Sequence, residues 1–326
     1  MTVFFNQDSD CFVICTQQGF VIYNTDPLDE RFRRDFGRDI MRSDGSRFNG
    51  IPTTIIGKPF LLVELLYKSN ILAFVTADTP TKAKIWDDRQ GKIIAELEFM
   101  TAIRKIRLRR DRIYVALDTK ILIYTFVDLK LLSQINTSSN LRGLLEVAGE
   151  GDIILACPGL ETGSLHLDVN GSIRTVRAHQ SELQQLVLSQ DGSLIATASE
   201  KGTIVRIFNV YTGDVIRELR RGIFKGEITS ICFDQRKTYL VLSSEHNGTI
   251  HVYNLENNAT QLQRSDIKHT LPIGKYICRF VSDKHIVILG CTANNNDTNI
   301  NNINNTYYKF EITSKGLQQC KIVHMN

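Results

Sequence analysis

The chain has 326 residues, 42% apolar and 23% charged, which are globular values and exclude a disordered or fibrous protein. That length allows one large domain or two ordinary ones with an ample core. A net charge of +4 is too mild for wholesale nucleic-acid binding but leaves room for a local basic patch.

Short strand-like runs with turn residues between them recur from one end to the other. No long stretch has helical period, so the chain reads as all-β. A first set of four comprises Val3 to Phe5, Cys11 to Thr16, Phe20 to Asn24 and a weaker run near Phe32 to Phe36. A second, longer set covers Thr53 to Ile56, Leu61 to Leu66, Ile71 to Thr76, Ala83 to Asp87 and Ile93 to Phe99. Its Lys84-Ile-Trp86-Asp87 resembles the end of a WD-type repeat. The third set runs from Ile103 to Leu108 through Arg112 to Leu117 and Ile121 to Thr125 to Leu131 to Ile135. The fourth includes Leu144 to Val147, Asp152 to Cys157, Ser164 to Asp168 and Ile173 to Arg177.

The fifth set is the clearest. Ala178-His179 precedes Leu183 to Leu188, an Asp191-Gly-Ser193 turn, Leu194 to Ala198, Gly202 to Asn209, Thr212-Gly213 and Val215 to Leu219. The sixth repeats the pattern with Ile228 to Phe233, Tyr239 to Ser243 and Gly248 to Asn254. The seventh has Tyr276 to Val281, His285 to Cys291, Tyr307 to Ile312 and Leu317 to His324. Seven sets average about 47 residues, within the range of four-stranded propeller blades. The expected fold is therefore one domain, residues 1–326, a seven-bladed β-propeller of WD40-like blades. Both ends carry complete sets, so no blade should be shared between the termini.

Two stretches break the rhythm. Glu256 to Ile273 is a long polar connection between the third and fourth strands of the sixth set. Asn294 to Asn305 is asparagine-rich and reads as a loop without fixed shape.

Seven cysteines lie at 11, 15, 157, 232, 278, 291 and 320, with no Cys-x-x-Cys. Neither a zinc site nor a disulfide framework is signalled, and a reducing intracellular compartment fits. The first residues lack the basic and long apolar regions of a signal peptide. No apolar run approaches the roughly 18 residues of a membrane span, so membrane contact should be peripheral.

The stretch that organises the rest is Leu219-Arg220-Arg221-Gly222, at the end of the strand-like run from Asp214. Successive side chains of a strand point to opposite faces, so the two arginines should serve two pockets, one on each side. Arginine's planar, permanently charged fork suits phosphate. Gly222 can adopt positive φ and turn the chain. His179, Lys201, Thr203 and Arg206 surround Arg220 in the fifth set. Lys225, Ser243, Ser244, His246, Thr249 and His251 surround Arg221 in the sixth. Cations mixed with hydroxyls are the inventory a phosphorylated headgroup requires. As last strand of its blade, this one should lie on the outer rim. His179 also matches the histidine that structures many WD blades.

The run Ala196-Thr-Ala-Ser-Glu-Lys-Gly-Thr-Ile-Val-Arg-Ile-Phe208, followed by Glu218-Leu-Arg-Arg-Gly222, resembles the PROPPIN family of seven-bladed phosphoinositide-binding propellers, which includes the WIPI proteins. Ser243-Ser-Glu-His-Asn-Gly-Thr-Ile-His-Val-Tyr253 resembles that family's next blade. The resemblance implies two headgroup sites for phosphatidylinositol 3-phosphate and phosphatidylinositol 3,5-bisphosphate. The first would use His179, Lys201, Thr203, Arg206 and Arg220, and the second Arg221, Ser244, His246, Thr249 and His251. It also implies a cytoplasmic protein acting peripherally on vacuolar, endosomal or pre-autophagosomal membranes, with autophagy-related protein partners. One feature departs from the family pattern. Members usually carry a still longer loop in the sixth blade, with apolar or aromatic residues, whereas Glu256 to Ile273 is shorter than that and has no aromatic residue. Attachment then leans on the two headgroup sites.

The rival class is a WD-type protein-interaction scaffold in which the arginines are incidental. An enzyme is disfavoured, since no Gly-x-Ser-x-Gly, Gly-rich phosphate loop, paired metal ligands or catalytic cluster occurs. No cofactor is expected, and nucleic-acid binding is disfavoured by the mild charge.

Overall fold

A computed structural model describes residues 3–16, 19–36, 58–148, 151–245, 248–257, 262–272, 274–293 and 303–325. The expected run Thr53 to Ile56 lies outside them. The chain forms two compact units, residues 1–143 and 144–326.

The first unit contains three four-stranded antiparallel sheets, each built from consecutive strands. They are β1 to β4 (Val3–Phe5, Cys11–Cys15, Gly19–Asn24, Asp29–Asp35), β5 to β8 (Phe60–Leu65, Ile71–Thr76, Lys82–Asp87, Lys92–Glu98) and β9 to β12 (Lys105–Leu108, Arg112–Ala116, Lys120–Thr125, Leu131–Asn136). Inner strands such as β10 are buried runs of Ile, Tyr, Val and Ala, while β12 is exposed along nearly its whole length. Burial on both faces selects continuous apolar runs, and the outer strand alternates with polar residues. The WD-like ending behaves as expected. Trp86 is buried, and Asp87 Oδ1 accepts from the Arg89 and Gln90 amides at 2.9 and 3.1 Å, which closes the turn.

The second unit contains four sheets. The first is β13 to β16 (Glu146–Val147, Ile154–Pro158, Ser164–Val169, Ser172–Arg177). Next are β17 to β20 (Leu183–Leu188, Leu194–Ser199, Ile204–Asn209, Val215–Arg220) and β21 to β23 (Ile228–Phe233, Tyr239–Ser244, Thr249–Asn254). The connection expected to run as a loop from Glu256 to Ile273 is more structured than that. It contains β24 (Gln263–Arg264) and β25 (Ile267–Thr270). β25 completes the sheet of β21 to β23 as its fourth strand, whereas β24 joins the preceding sheet, parallel to β20. β20 is therefore not the outermost strand there. The last sheet is β26 to β29 (Lys275–Phe280, His285–Ala293, Ile303–Thr313, Gly316–Met325). Ile303 to Asn305, expected in a loop, open β28, and residues 294–302 lie outside the described set.

Among the described residues the seven sheets match the seven expected sets, five of them built wholly from consecutive strands, and no terminal strand completes a sheet at the other end. No α-helix occurs among the described residues. Consecutive sheets of the second unit pack through apolar layers. One joins Val205, Ile207 and Leu219 to Ile231, Leu242 and Tyr253.

Candidate functional site

The double arginine sits where β20 ends. Register settles which way its neighbours point. Arg206 on β19 lies opposite Glu218 on β20, Ile204 opposite Arg220, and Thr197 on β18 opposite Arg206. Thr197, Arg206, Glu218 and Arg220 therefore share one face of the sheet. Leu219, fully buried on the other face, faces the next sheet. Arg221 is electrostatically coupled to His251 and Tyr253 of that next sheet. Arg220, the last residue of β20, and Arg221, just beyond it, thus face opposite sides.

On the Arg206 side, Arg206 Nε donates to Glu218 Oε1 at 2.6 Å, and its Nη1 donates to the Ala178 carbonyl at 2.7 Å. His179 is buried, and its Nε2 lies 3.0 Å from Thr197 Oγ1. Burial, helped by the Arg206 charge, pushes the imidazole down to about 4, so it is neutral at physiological pH. Among the described residues no hydrogen bond or ion pair engages the half-buried Arg220 guanidinium, while its carbonyl accepts from Tyr253 Oη at 3.0 Å. Lys201 is exposed. Thr203 contributes its carbonyl, which accepts from the Arg221 amide at 2.9 Å.

On the other side, Arg221 is half-buried and folds back on its own turn. Its Nε donates to the Gly202 carbonyl and its Nη2 to the Phe224 carbonyl. Burial lowers its pKa from the ordinary guanidinium value. Ser244, Thr249 and His251 share a face, since Ser244 pairs with Thr249 across β22 and β23. His251 is buried, and its Nδ1 lies 3.2 Å from Ser265 Oγ. Burial, with Lys268 and then Arg221 adding positive charge, pushes it down to about 4. Ser244 Oγ is buried with no hydrogen-bond partner among the described residues. Ser243 points the opposite way and donates to the Tyr276 carbonyl at 2.7 Å. Lys225 is exposed, and His246 lies outside the described residues.

Glycine geometry differs from expectation at one point and agrees at another. Gly222 does not take a left-handed φ, and a Cβ there would meet open space. The demanding glycines are Gly202 and Gly248, at φ +59° and +57°. A Cβ on Gly202 would lie 1.9 Å from the Gly226 carbonyl oxygen, and one on Gly248 would lie 2.5 Å from that of Pro272. Both glycines share a left-handed φ, but Gly202 stands two residues before β19 and Gly248 one residue before β23, so the fifth set carries one residue more.

Five residues that sequence reasoning missed shape the two sides. They are Thr197 beside His179, Glu218 on Arg206, Tyr253 under Arg220, Lys268 opposite His251, and Arg264. Arg264 pairs with Arg220 in the parallel β20–β24 ladder, so the two share a face at the sheet edge. Elsewhere, His285, Glu311 and Cys320 on three adjacent strands bring ligand atoms within 4.8 Å of one another. No sequence spacing signals that trio.

A family model described as PROPPIN matches residues 3–278. The chain belongs to the PROPPIN family. It is similar to autophagy-related protein 18e of Arabidopsis thaliana, 30% identical over 320 residues, covering 89% of this chain and 80% of that protein. It is 36% identical over 265 residues to SVP1-like protein 2 of Pichia angusta, covering 77% and 68%. Among solved structures, Hsv2 of Kluyveromyces marxianus matches with a TM-score of 0.79 at 20% identity, over 99% of this chain and 97% of that one. This PROPPIN is accordingly a seven-bladed β-propeller. KlAtg21, solved in complex with the coiled coil of AgAtg16, matches with a TM-score of 0.78 at 25% identity, over 100% and 99%. PROPPINs are non-catalytic, phosphoinositide-binding propellers associated with autophagy. No helix of the described chain is long and apolar enough to cross a membrane.

Proposed function

We propose that this PROPPIN recruits proteins to membranes by binding phosphatidylinositol 3-phosphate and phosphatidylinositol 3,5-bisphosphate at two headgroup sites. Its setting is autophagy or vacuolar and endosomal traffic. The observation that carries the proposal is the placement of Arg220 and Arg221 on opposite sides of one sheet, Arg220 on the face of Arg206 and Thr197, Arg221 toward His251 and Tyr253. Site one comprises Arg220 and Arg206, with Lys201 and Thr203 at its edge and His179 beneath. Site two comprises Arg221, Ser244, Thr249 and His251, with Lys225 at its rim and His246, which lies outside the described residues, as a further candidate from the sequence. Neutral His179 and His251 offer uncharged ring nitrogens below the arginines, so the positive charge comes from guanidinium and ammonium groups.

One headgroup on a wet surface binds modestly. Two pockets held to the same bilayer raise apparent affinity by roughly 10²–10⁴ where geometry permits. Each exposed Lys or Arg near anionic lipid adds about 1 kcal/mol, which salt screens. The propeller would act as a single domain, peripheral on vacuolar, endosomal or pre-autophagosomal membranes. A coiled-coil autophagy protein is the class of partner suggested by the KlAtg21 complex.

The test is co-sedimentation with vesicles with and without either lipid, comparing wild type with Arg220→Thr, Arg221→Thr and the double variant. Each single change should weaken binding partly and the pair should abolish it, with circular dichroism unchanged. Complete loss from either single change would overturn the two-site model. A folded wild type that ignores both lipids would leave the protein-scaffold reading in its place.

A further inference from the structure

Immediately after Arg221 the chain makes a short turn, Gly222-Ile223-Phe224-Lys225-Gly226, whose tip is apolar. Ile223 is 71% exposed and Phe224 79%. A lone exposed apolar side chain needs no explanation, but adjacent ones on a charged rim do. Met100, Val127 and Leu160 are comparably exposed, yet each stands alone in sequence. Ile223 and Phe224 instead stand between Arg221 and Lys225, with Lys201 at the base of the same turn.

The turn is held firmly from below. The Arg221 amide donates to the Thr203 carbonyl at 2.9 Å and the Gly226 amide to the Lys201 carbonyl at 3.2 Å. The Arg221 guanidinium spans the inside of the turn between the Gly202 and Phe224 carbonyls. Gly226 makes room for it, since a Cβ there would lie 2.9 Å from Arg221 Nη2. The apolar tip is therefore presented in a fixed place, and its side chains take no part in the brace. By contrast, the described part of the connection from Leu255 to Asp266 exposes no large apolar side chain.

We infer that Ile223 and Phe224 are the wedge by which this protein enters an anionic bilayer, between its two headgroup sites. The inference rests on the proposed lipid-binding function. Lys201, Lys225 and Arg220 would meet the phosphate layer while the two apolar side chains pass between headgroups into the acyl boundary. An apolar tip ringed by cations matches that surface, where cationic groups stay at headgroup level and apolar ones lie just below. Arg221 has two roles on this view. It faces the second headgroup site and fixes the turn that carries the wedge.

The experiment separates headgroup recognition from insertion. Wild type and the Ile223→Ser, Phe224→Ser double variant are titrated with water-soluble, short-chain phosphatidylinositol 3-phosphate. Both are then titrated with phosphatidylcholine vesicles carrying the long-chain lipid. The variant should bind the soluble lipid as wild type does and lose about tenfold or more in vesicle affinity. The single natural tryptophan, Trp86, is buried, so a Phe224→Trp indole can be compared against the wild-type emission. Its emission should shift to the blue on lipid-bearing vesicles only. Undiminished vesicle binding by the serine variant, or an unmoved indole on bound vesicles, overturns the wedge and leaves the tip to a protein partner. Failure of wild type to bind the soluble lipid overturns the headgroup reading itself, and the wedge with it.

Discussion

Glu218→Gln should make this protein bind phosphoinositide more tightly. Arg206, a candidate phosphate ligand, already has an anion. Its Nε is 2.6 Å from Glu218 Oε1, and the two side chains are 28% and 40% exposed. A headgroup phosphate that engages Arg206 and Arg220 would sit within about 6 Å of that carboxylate. Two like charges at that distance repel by about 0.7 kcal/mol in water-like surroundings, and by about twice that if the local dielectric is halved. Glutamine keeps the shape and an acceptor oxygen but removes the charge. The gain should be roughly three- to tenfold in affinity. Loss of the half-exposed ion pair should cost stability only about 0–1 kcal/mol. The assay is calorimetric titration with short-chain phosphatidylinositol 3-phosphate at physiological ionic strength, repeated at high salt, where the difference should shrink. Equal or weaker binding by a folded Glu218→Gln protein would refute the placement of a phosphate on the Arg206 face.

Gly202→Ala should destabilise the fold while Gly222→Ala does not. The former forces alanine to φ +59° with its Cβ 1.9 Å from a backbone oxygen, at a cost of at least about 1–2 kcal/mol from handedness alone. The latter adds a Cβ in open space. Thermal melts of the two variants should separate by several degrees, and coincident melts would contradict the geometry. Stability should also fall on acidification. His179 and His251 titrate near 4 when folded but near 6.5 when unfolded, so the unfolded chain takes up more protons between those values. Each can contribute up to roughly 1.4 kcal/mol of loss per pH unit across that window, all of it regained above about pH 6.5. Urea midpoints at pH 7 and pH 5 should differ, and the difference should narrow when both histidines are replaced by glutamine. Equal midpoints in wild type would show that the imidazoles do not stay neutral.

The blade pattern was legible because each strand carries its own apolar run and its own turn residues. Gly202 and Gly248 are an example, since the glycine of a shared Gly-Thr-Ile run takes the same left-handed φ in both places. The opposite placement of Arg220 and Arg221 was legible from alternation alone. β25 was not, because Ile267-Lys-His-Thr270 is four residues long, mostly polar, and becomes a strand only by pairing with β23. β24 was less visible still, since its partner lies more than forty residues earlier in sequence. The Arg206–Glu218 pair could have been found. Glu218 and Arg220 alternate on one strand, so a carboxylate must share the face assigned to phosphate. The inward turn of Arg221 could not, because it depends on where the Gly202 and Phe224 carbonyls come to rest.

The two-residue strand β24 ties the connection of one sheet to the edge of the sheet before it. Gln263 Nε2 donates to the Asn254 carbonyl at 2.8 Å, Arg217 Nη2 donates to the Leu255 carbonyl at 2.8 Å, and β24 lies along β20. The end of β20 is thus sealed by chain that arrives only after β23 has been made. During synthesis, the strand bearing Arg220 stays unpaired on its outer side until Arg264 has left the ribosome. In the finished protein the two sheets should open as one cooperative unit, so amide exchange along β20 and β23 should slow and quicken together.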